Sequence, residues 1–152
     1  MDLFDTDDSD LDLEELAQIA ERDADLIGVF LDQIDESDDA KWQLSKWPAE
    51  NSLPHFNVKG VESLQQRGYN IYRLRPLGAR LRKFRILYAY DAVHDDFYLL
   101  AVVVKNPGSE AELNAMLPGF PLHKTYNYEP DHPITQRICE RYDGLQIPRT
   151  RR

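Results

Sequence analysis

Three segments between Tyr69 and Lys105 constrain the fold of this chain more than any other feature. Tyr69–Pro76, Arg82–Asp91 and Phe97–Lys105 are rich in the aromatic and β-branched residues that suit strands. Gly78 marks the first connection and His94-Asp95-Asp96 the second. Connections this short join antiparallel neighbours, so the block reads as a meander. The last segment, FYLLAVVVK, is apolar on both faces and reads as a central strand.

On either side of this block the pattern is helical. Leu13, Leu16, Ile19 and Ala20 fall at helical spacing, as do Leu26, Ile27, Phe30, Leu31 and Ile34. The charged run from Arg22 to Asp25 interrupts that stripe, which predicts either one kinked helix or a helix hairpin ending over Asp35–Asp39. Asp10 or Asp12 suits the N-cap. Ala40–Gly60 has no periodicity and reads as an irregular loop around Pro48 and Pro54, with Trp42 and Trp47 as anchors to the core. Pro107–Pro121 is a second irregular stretch, containing a short helix over Glu110–Leu117, and Thr125–Glu129 reads as a short strand. Pro133 suits the first position of a final helix, whose apolar stripe is Ile134, Ile138, Tyr142 and Leu145. The expectation is an α+β fold: an N-terminal helix or helix hairpin packed on a small antiparallel sheet, with a C-terminal helix, in one domain over residues 11–147. Residues 1–10 read as a disordered acidic arm and residues 148–152 as a basic tail.

Charge divides the chain. Residues 1–40 carry 16 Asp/Glu against Arg22 alone, a net −15. Residues 41–152 carry 11 acidic against 17 basic residues, a net +6, within an overall −9. The asymmetry points to a basic working surface, which suits a polyanion and which the acidic arm can screen. Cys139 is the sole cysteine, which excludes an internal disulfide and a CxxC metal site. The four histidines have no metal-ligand spacing, so no metal or cofactor is expected. No apolar run is long enough to span a bilayer, and the first ten residues are too acidic for a targeting peptide, so a cytoplasmic protein with no membrane partner is expected.

Three motifs in order, YNIYRLRPLG, RKFRILYAYD and the closing YNYEPDHPITQRICERYDGL, resemble the RelE/ParE toxin superfamily. Its members pair a Tyr-Arg-Leu-Arg strand, here Tyr72–Arg75, with a strand like Arg85–Tyr88. They also begin with a strand ahead of the helices, for which Met1–Asp10 is a poor candidate. The resemblance implies an mRNA interferase: a metal-independent endoribonuclease acting on mRNA, commonly at the ribosome, and neutralised by a cognate antitoxin. Within the same superfamily it also admits a ParE-type inhibitor of DNA gyrase. A non-enzymatic interaction module whose acidic arm covers its own basic sheet is the third reading.

Side chains alternate along a strand, so Arg73 and Arg75 share one face, and Arg85 lies opposite Phe84, Ile86 and Tyr88. Lys105 follows in phase with Leu99, Ala101 and Val103. If the three arginines share the open side, they form a positive concavity that His123, Lys124, Tyr126 and Tyr128 close at its far edge. Guanidinium groups grip phosphates and tyrosines stack on unpaired bases. Arg85 is expected to stabilise charge on the cleaved phosphate, with Tyr126 or Tyr128 as base and acid. Arg73, Arg75, Lys105 and Lys124 would bind the RNA. A tyrosine base needs its pKa lowered by the surrounding cations. The competing readings are structural: Arg73 and Arg75 as solvent-facing residues, Arg85 paired with Asp91 or the arm, Cys139 as a buried thiol, and Arg137 and Arg141 solvating their helix.

Overall fold

The computed structural model describes residues 1–45, 50–52 and 55–149. These form an α+β fold around a six-stranded mixed sheet. The strands are β1 (Leu3–Phe4), β2 (Glu50–Ser52), β3 (Phe56–Gly60), β4 (Ile71–Pro76), β5 (Phe84–Asp91) and β6 (Asp96–Val104), in the order β1-β6-β5-β4-β3-β2. The expected meander is present as β4, β5 and β6, all antiparallel. β3 and β2 extend it antiparallel on one side, and β1 runs parallel to β6 on the other. The helices are α1 (Asp7–Asp35), α2 (Asp38–Leu44), α3 (Glu62–Gln65), α4 (Glu110–Met116) and α5 (Pro133–Gly144). No helix among the described residues is long and apolar enough to cross a membrane.

Each face of the sheet has its own core. On one face Leu16, Ile27, Leu31 and Ile34 of α1 pack on Tyr72, Leu74, Phe84, Ile86 and Tyr88. On the other, Ile138, Cys139 and Tyr142 of α5 cover Ile71, Leu87, Ala89, Ala101 and Val103. Cys139 is thus a buried thiol. α5 begins at Pro133 as expected, with His132 as its N-cap: Nδ1 accepts from the Ile134 amide, which leaves Nε2 to donate to the Thr125 carbonyl.

Several expectations are corrected. Residues 1–10 are not a free arm. Leu3 and Phe4 pair with Phe97 and Tyr98, and Phe4 stacks on Tyr98 at 5.3 Å. The charged residues need no burial, because Thr6 and Ser9 are the buried ones and cap α1 reciprocally. Thr6, not Asp10 or Asp12, is the N-cap, and its hydroxyl donates to the Leu99 carbonyl at 2.6 Å. Asp12 instead accepts from the Val102 amide at 2.9 Å. β6 is therefore not flanked by full strands on both sides: beyond β1, side chains from α1 satisfy its edge. α1 is one helix with a kink, but the break is at Ala20 (φ −145°, ψ 71°), ahead of the expected site. Asp23 turns inward, 3 % exposed, and pairs with Arg80 and with Lys83 at 3.0 Å.

Ala40–Gly60 is more regular than expected. α2 runs to Leu44, and β3 alternates with Phe56 and Val58 buried. Trp42 is 50 % exposed rather than buried in the core, and the Leu44 carbonyl ties the segment to the sheet by accepting from the Tyr88 hydroxyl at 2.8 Å. Trp47, Pro48, Pro54 and the end of the basic tail lie outside the described residues. Thr125–Glu129 forms one parallel bridge, Tyr126 to Lys105, rather than a strand.

Candidate nucleic-acid interface

Register arranges the basic residues as a grid. β3 pairs with β4 so that Lys59 lies beside Arg73 and Asn57 beside Arg75. β4 pairs with β5 so that Arg73 lies beside Leu87, and just beyond the end of this ladder Arg75 and Arg85 line the same recess. Arg85 in turn partners Val103. A bulge beside Leu87/Tyr88 leaves Leu100 as the extra residue of β6. Leu99 therefore joins the α1 core, while Ala101 and Val103 face α5. Lys105 keeps phase with Ala101 and Val103 but not with Leu99, a correction to the simple alternation.

Two recesses flank this grid. One, of about 460 Å³, is lined by Lys59, Glu62, Ser63, Gln66, Arg73 and Tyr128 among others. The second, of about 540 Å³, is lined by Arg75, Arg82, Lys83, Arg85, Lys105, Asn106, Glu112 and Met116. The sequence reading missed Asn57 and Lys59 as site residues because it missed β3, and Glu62 and Gln66 because it missed the short α3 that follows. The alternation of Phe56 and Val58 is the signal that marks β3.

Arg85 is the most buried of the row, 5 % exposed. Its Nη1 donates to the carbonyls of Arg82 at 2.6 Å and Phe84 at 2.8 Å. It does not pair with Asp91, which engages His94 at 2.7 Å. Burial, then the positive charge of Arg75, lowers the Arg85 pKa to about 10; Arg73 adds to the effect and Tyr128 opposes it. The guanidinium stays charged at neutral pH. Arg75 has a buried Nε with no hydrogen-bond partner among the described residues. Arg73 donates to the Asn57 side chain at 3.0 Å. No described carboxylate forms an ion pair with Arg75 or Arg85.

The two tyrosines differ. Tyr126 is 1 % exposed, and its hydroxyl bonds Thr135 Oγ1 at 2.7 Å, which itself donates to the Glu129 carbonyl. Burial pushes its pKa up to about 12. The hydroxyl is thus committed to the α5 side, and the ring supports Tyr128, with centroids 4.6 Å apart. The Tyr128 hydroxyl is buried with no partner among the described residues, and Tyr128 lines the first recess beside Arg73. Burial raises its pKa more than Arg73 and Arg85 lower it. The cations therefore do not lower the pKa of either tyrosine, against expectation, and the Tyr128 hydroxyl keeps its proton at neutral pH.

Lys124 and His123 are not at the edge of this grid. Both line a different cavity, of about 550 Å³, between α1, β6 and α5. The acidic arm also lies elsewhere. Asp12 takes a bidentate grip from Arg137 at 2.9 and 2.8 Å, and Asp8 accepts from Arg141 at 3.1 Å. Arg137 and Arg141 thus hold the arm rather than merely solvate α5. Comparison with known proteins adds nothing to this geometry: no family model matches the chain, and neither curated proteins nor solved structures give a significant match.

Proposed function

We propose that this protein is a RelE-like toxin: an endonuclease that cuts messenger RNA at the ribosome, held in check by a cognate antitoxin protein. The observation that carries the reading is the row Arg73, Arg75 and Arg85 on one side of the sheet, with Arg75 and Arg85 lacking any described ion-pair partner. Burial lowers the pKa of Arg85 most, and repulsion from the like charges of Arg75 and Arg73 beside it lowers it further. A polyanionic backbone relieves that repulsion. The order of elements supports the same reading: β1 supplies a strand ahead of the helices, the feature that residues 1–10 lacked as a sequence.

The chemistry needs no metal. The 2′-hydroxyl gives its proton to solvent water and attacks the adjacent phosphorus; a P–O bond to the 2′-oxygen forms and the bond to the 5′-oxygen breaks, leaving a 2′,3′-cyclic phosphate and a 5′-hydroxyl. Arg85 and Arg75 stabilise the extra negative charge on the phosphoryl oxygens. Tyr128, protonated, donates to the departing 5′-oxygen. Arg73, Lys59 and Lys105 hold the flanking phosphates.

The experiment is to map new 5′ ends of cellular messenger RNA after brief induction of the wild type, Arg75→Ala, Arg85→Ala and Tyr128→Phe. Discrete cuts with the wild type that fade in all three variants are expected. Folded wild-type protein that produces no new ends overturns the endonuclease reading.

A further inference from the structure

Glu62 is out of place on a surface that binds phosphate. It lines the first recess together with Lys59 and Arg73, yet forms no ion pair among the described residues. Some carboxylates of the chain do meet a cation: Asp23 pairs with Lys83 at 3.0 Å, Asp12 with Arg137 at 2.8 Å and Asp143 with Arg149 at 2.8 Å. An unpaired carboxylate repels an RNA backbone and weakens sequence-independent binding. It becomes favourable only where it meets hydrogen-bond donors of the ligand. The backbone presents a single kind, the 2′-hydroxyl, so the donors that matter are those on a base edge.

The neighbours of Glu62 narrow the choice. Gln66 lies one helical turn further on, Ser63 is adjacent in sequence, and all three line the same recess. The recess therefore offers two carboxylate acceptors beside an amide and the Ser63 hydroxyl able to donate. Among the four RNA bases only guanine carries two adjacent donors, N1–H and the 2-amino group, followed by an acceptor, O6, along its pairing edge. Adenine and cytosine offer a single amino donor beside ring acceptors, and uracil a single N–H between two carbonyls. Unpaired bases are read on this edge in single-stranded RNA, usually with a planar side chain stacked on them. Tyr128 and the guanidinium of Arg73 supply planar groups at the recess.

The second recess suits a different part of the substrate. Arg75, Arg82, Arg85 and Lys105 crowd it with positive charge against Glu112, while Lys83, also in its lining, is paired with Asp23. That balance favours phosphate.

We propose that the recess formed by Glu62, Ser63, Gln66, Arg73 and Tyr128 is a base-reading subsite that selects one unpaired guanine, with Glu62 as the residue that determines specificity. The subsite lies at the Arg73 end of the arginine row, so the guanine stands at a fixed offset from the phosphate held by Arg75 and Arg85. This inference rests on the reading of the row as a single-stranded RNA site.

The test uses the full chain and short single-stranded RNA oligomers, 2′-O-methylated throughout so that they cannot be cut. The oligomers are alike except for guanine, inosine or adenine at one position. Inosine keeps O6 and N1–H and lacks only the 2-amino group. Affinity is read by fluorescence anisotropy. Guanine is expected to bind tightest, inosine roughly 5-fold more weakly and adenine at least about 10-fold more weakly. Glu62→Gln is expected to flatten the series to within about 2-fold, and Glu112→Gln to leave the order unchanged. Glu62 is exposed, so its substitution does not disturb a core. A preference that survives Glu62→Gln, or that is lost with Glu112→Gln instead, overturns the assignment. Tight binding by the wild type without preference overturns the base reader while leaving the RNA reading in place. If no oligomer binds, both fall.

Discussion

Tyr128 combines two local costs that a purely structural residue has no reason to carry. Its φ is +64°, in the left-handed region where a residue with a side chain costs roughly 1–2 kcal/mol. Its hydroxyl is buried and unpartnered, a further penalty of about 1–3 kcal/mol. Tyr128→Phe removes the second cost and keeps the ring against Tyr126. Chemical denaturation is therefore expected to show unchanged stability or a gain of up to about 1 kcal/mol. Cleavage is expected to drop by about 100-fold or more if the hydroxyl donates to the leaving oxygen. A variant that cuts at the wild-type rate removes Tyr128 from the chemistry. Arg75 gives a second test. Arg85 holds two carbonyls of its own turn, so Arg85→Ala mixes stability with function. Arg75 makes no such bond among the described residues, and its Nε is unpartnered there. Arg75→Ala is expected to weaken binding of single-stranded RNA evenly across sequences. The slope of log affinity against log salt should fall by about 1, as for the loss of one phosphate contact. An unchanged slope places Arg75 off the phosphate path.

At the scale of elements, legibility followed how local the cause was. β4, β5, β6, α4 and the start of α5 were readable because alternation, turn residues and Pro133 act within a few positions. The row of Arg73, Arg75 and Arg85 followed from the same alternation. β3 was hidden by the prolines around it, and with it went half of the grid. The phase of Leu99 was lost to one extra residue, Leu100, because a bulge leaves no reliable mark in composition. The commitment of the Tyr126 hydroxyl to Thr135 depends on where α5 docks, which no local pattern encodes. The break in α1 was misplaced for a related reason. Asp23 looks like an interruption of an apolar stripe, but a carboxylate can occupy that stripe when cations reach it from another element. Here they come from the β4–β5 connection, Arg80 and Lys83. These cations hold the Asp23 carboxyl below its usual range, overcoming the opposing effect of burial. Asp23→Asn leaves Lys83, 14 % exposed, facing a neutral partner, and is expected to cost about 3 kcal/mol near neutral pH. Because the folded pKa is lowered, this stability is present above the unshifted value of 3.8 and is lost as pH falls through the folded pKa. Urea denaturation of both proteins should show the gap closing only under strong acid. A gap that is constant with pH assigns the loss to packing instead.

At the scale of the whole molecule, the division of charge does not cover the arginine row. The negative half closes the fold. α1 enters beside β6 and supplies Thr6 to the Leu99 carbonyl and Asp12 to the Val102 amide. Asp12 and Asp8 then take Arg137 and Arg141 of α5, so the two ends of the chain meet across the sheet edge. Arg137 and Arg141 of α5 are paired with these carboxylates, whereas Arg75 and Arg85 of the grid have no ion-pair partner among the described residues. Removing the arm therefore threatens the fold before it unmasks a surface. The sharpest test is Arg137→Ala, which strips the bidentate partner from a carboxylate that is 11 % exposed. Asp12 already has a raised pKa, because burial outweighs its bonds from Arg137 and the Val102 amide. Without Arg137 the pKa rises further, and the buried anion is uncompensated at neutral pH. The expected loss is about 2–3 kcal/mol there, below that of a fully buried pair because Arg137 is partly exposed. A carboxyl with a raised folded pKa is stabilising when protonated, and that contribution is lost as pH climbs through the folded value. The deficit of Arg137→Ala should therefore be largest near neutral pH and shrink as pH falls through the folded pKa of Asp12, opposite to an effect of simple packing. Urea melts of both proteins along that range decide it. A deficit that shrinks in acid identifies the Asp12–Arg137 clasp as the electrostatic closure of the molecule, and one that stays constant reduces it to side-chain contact.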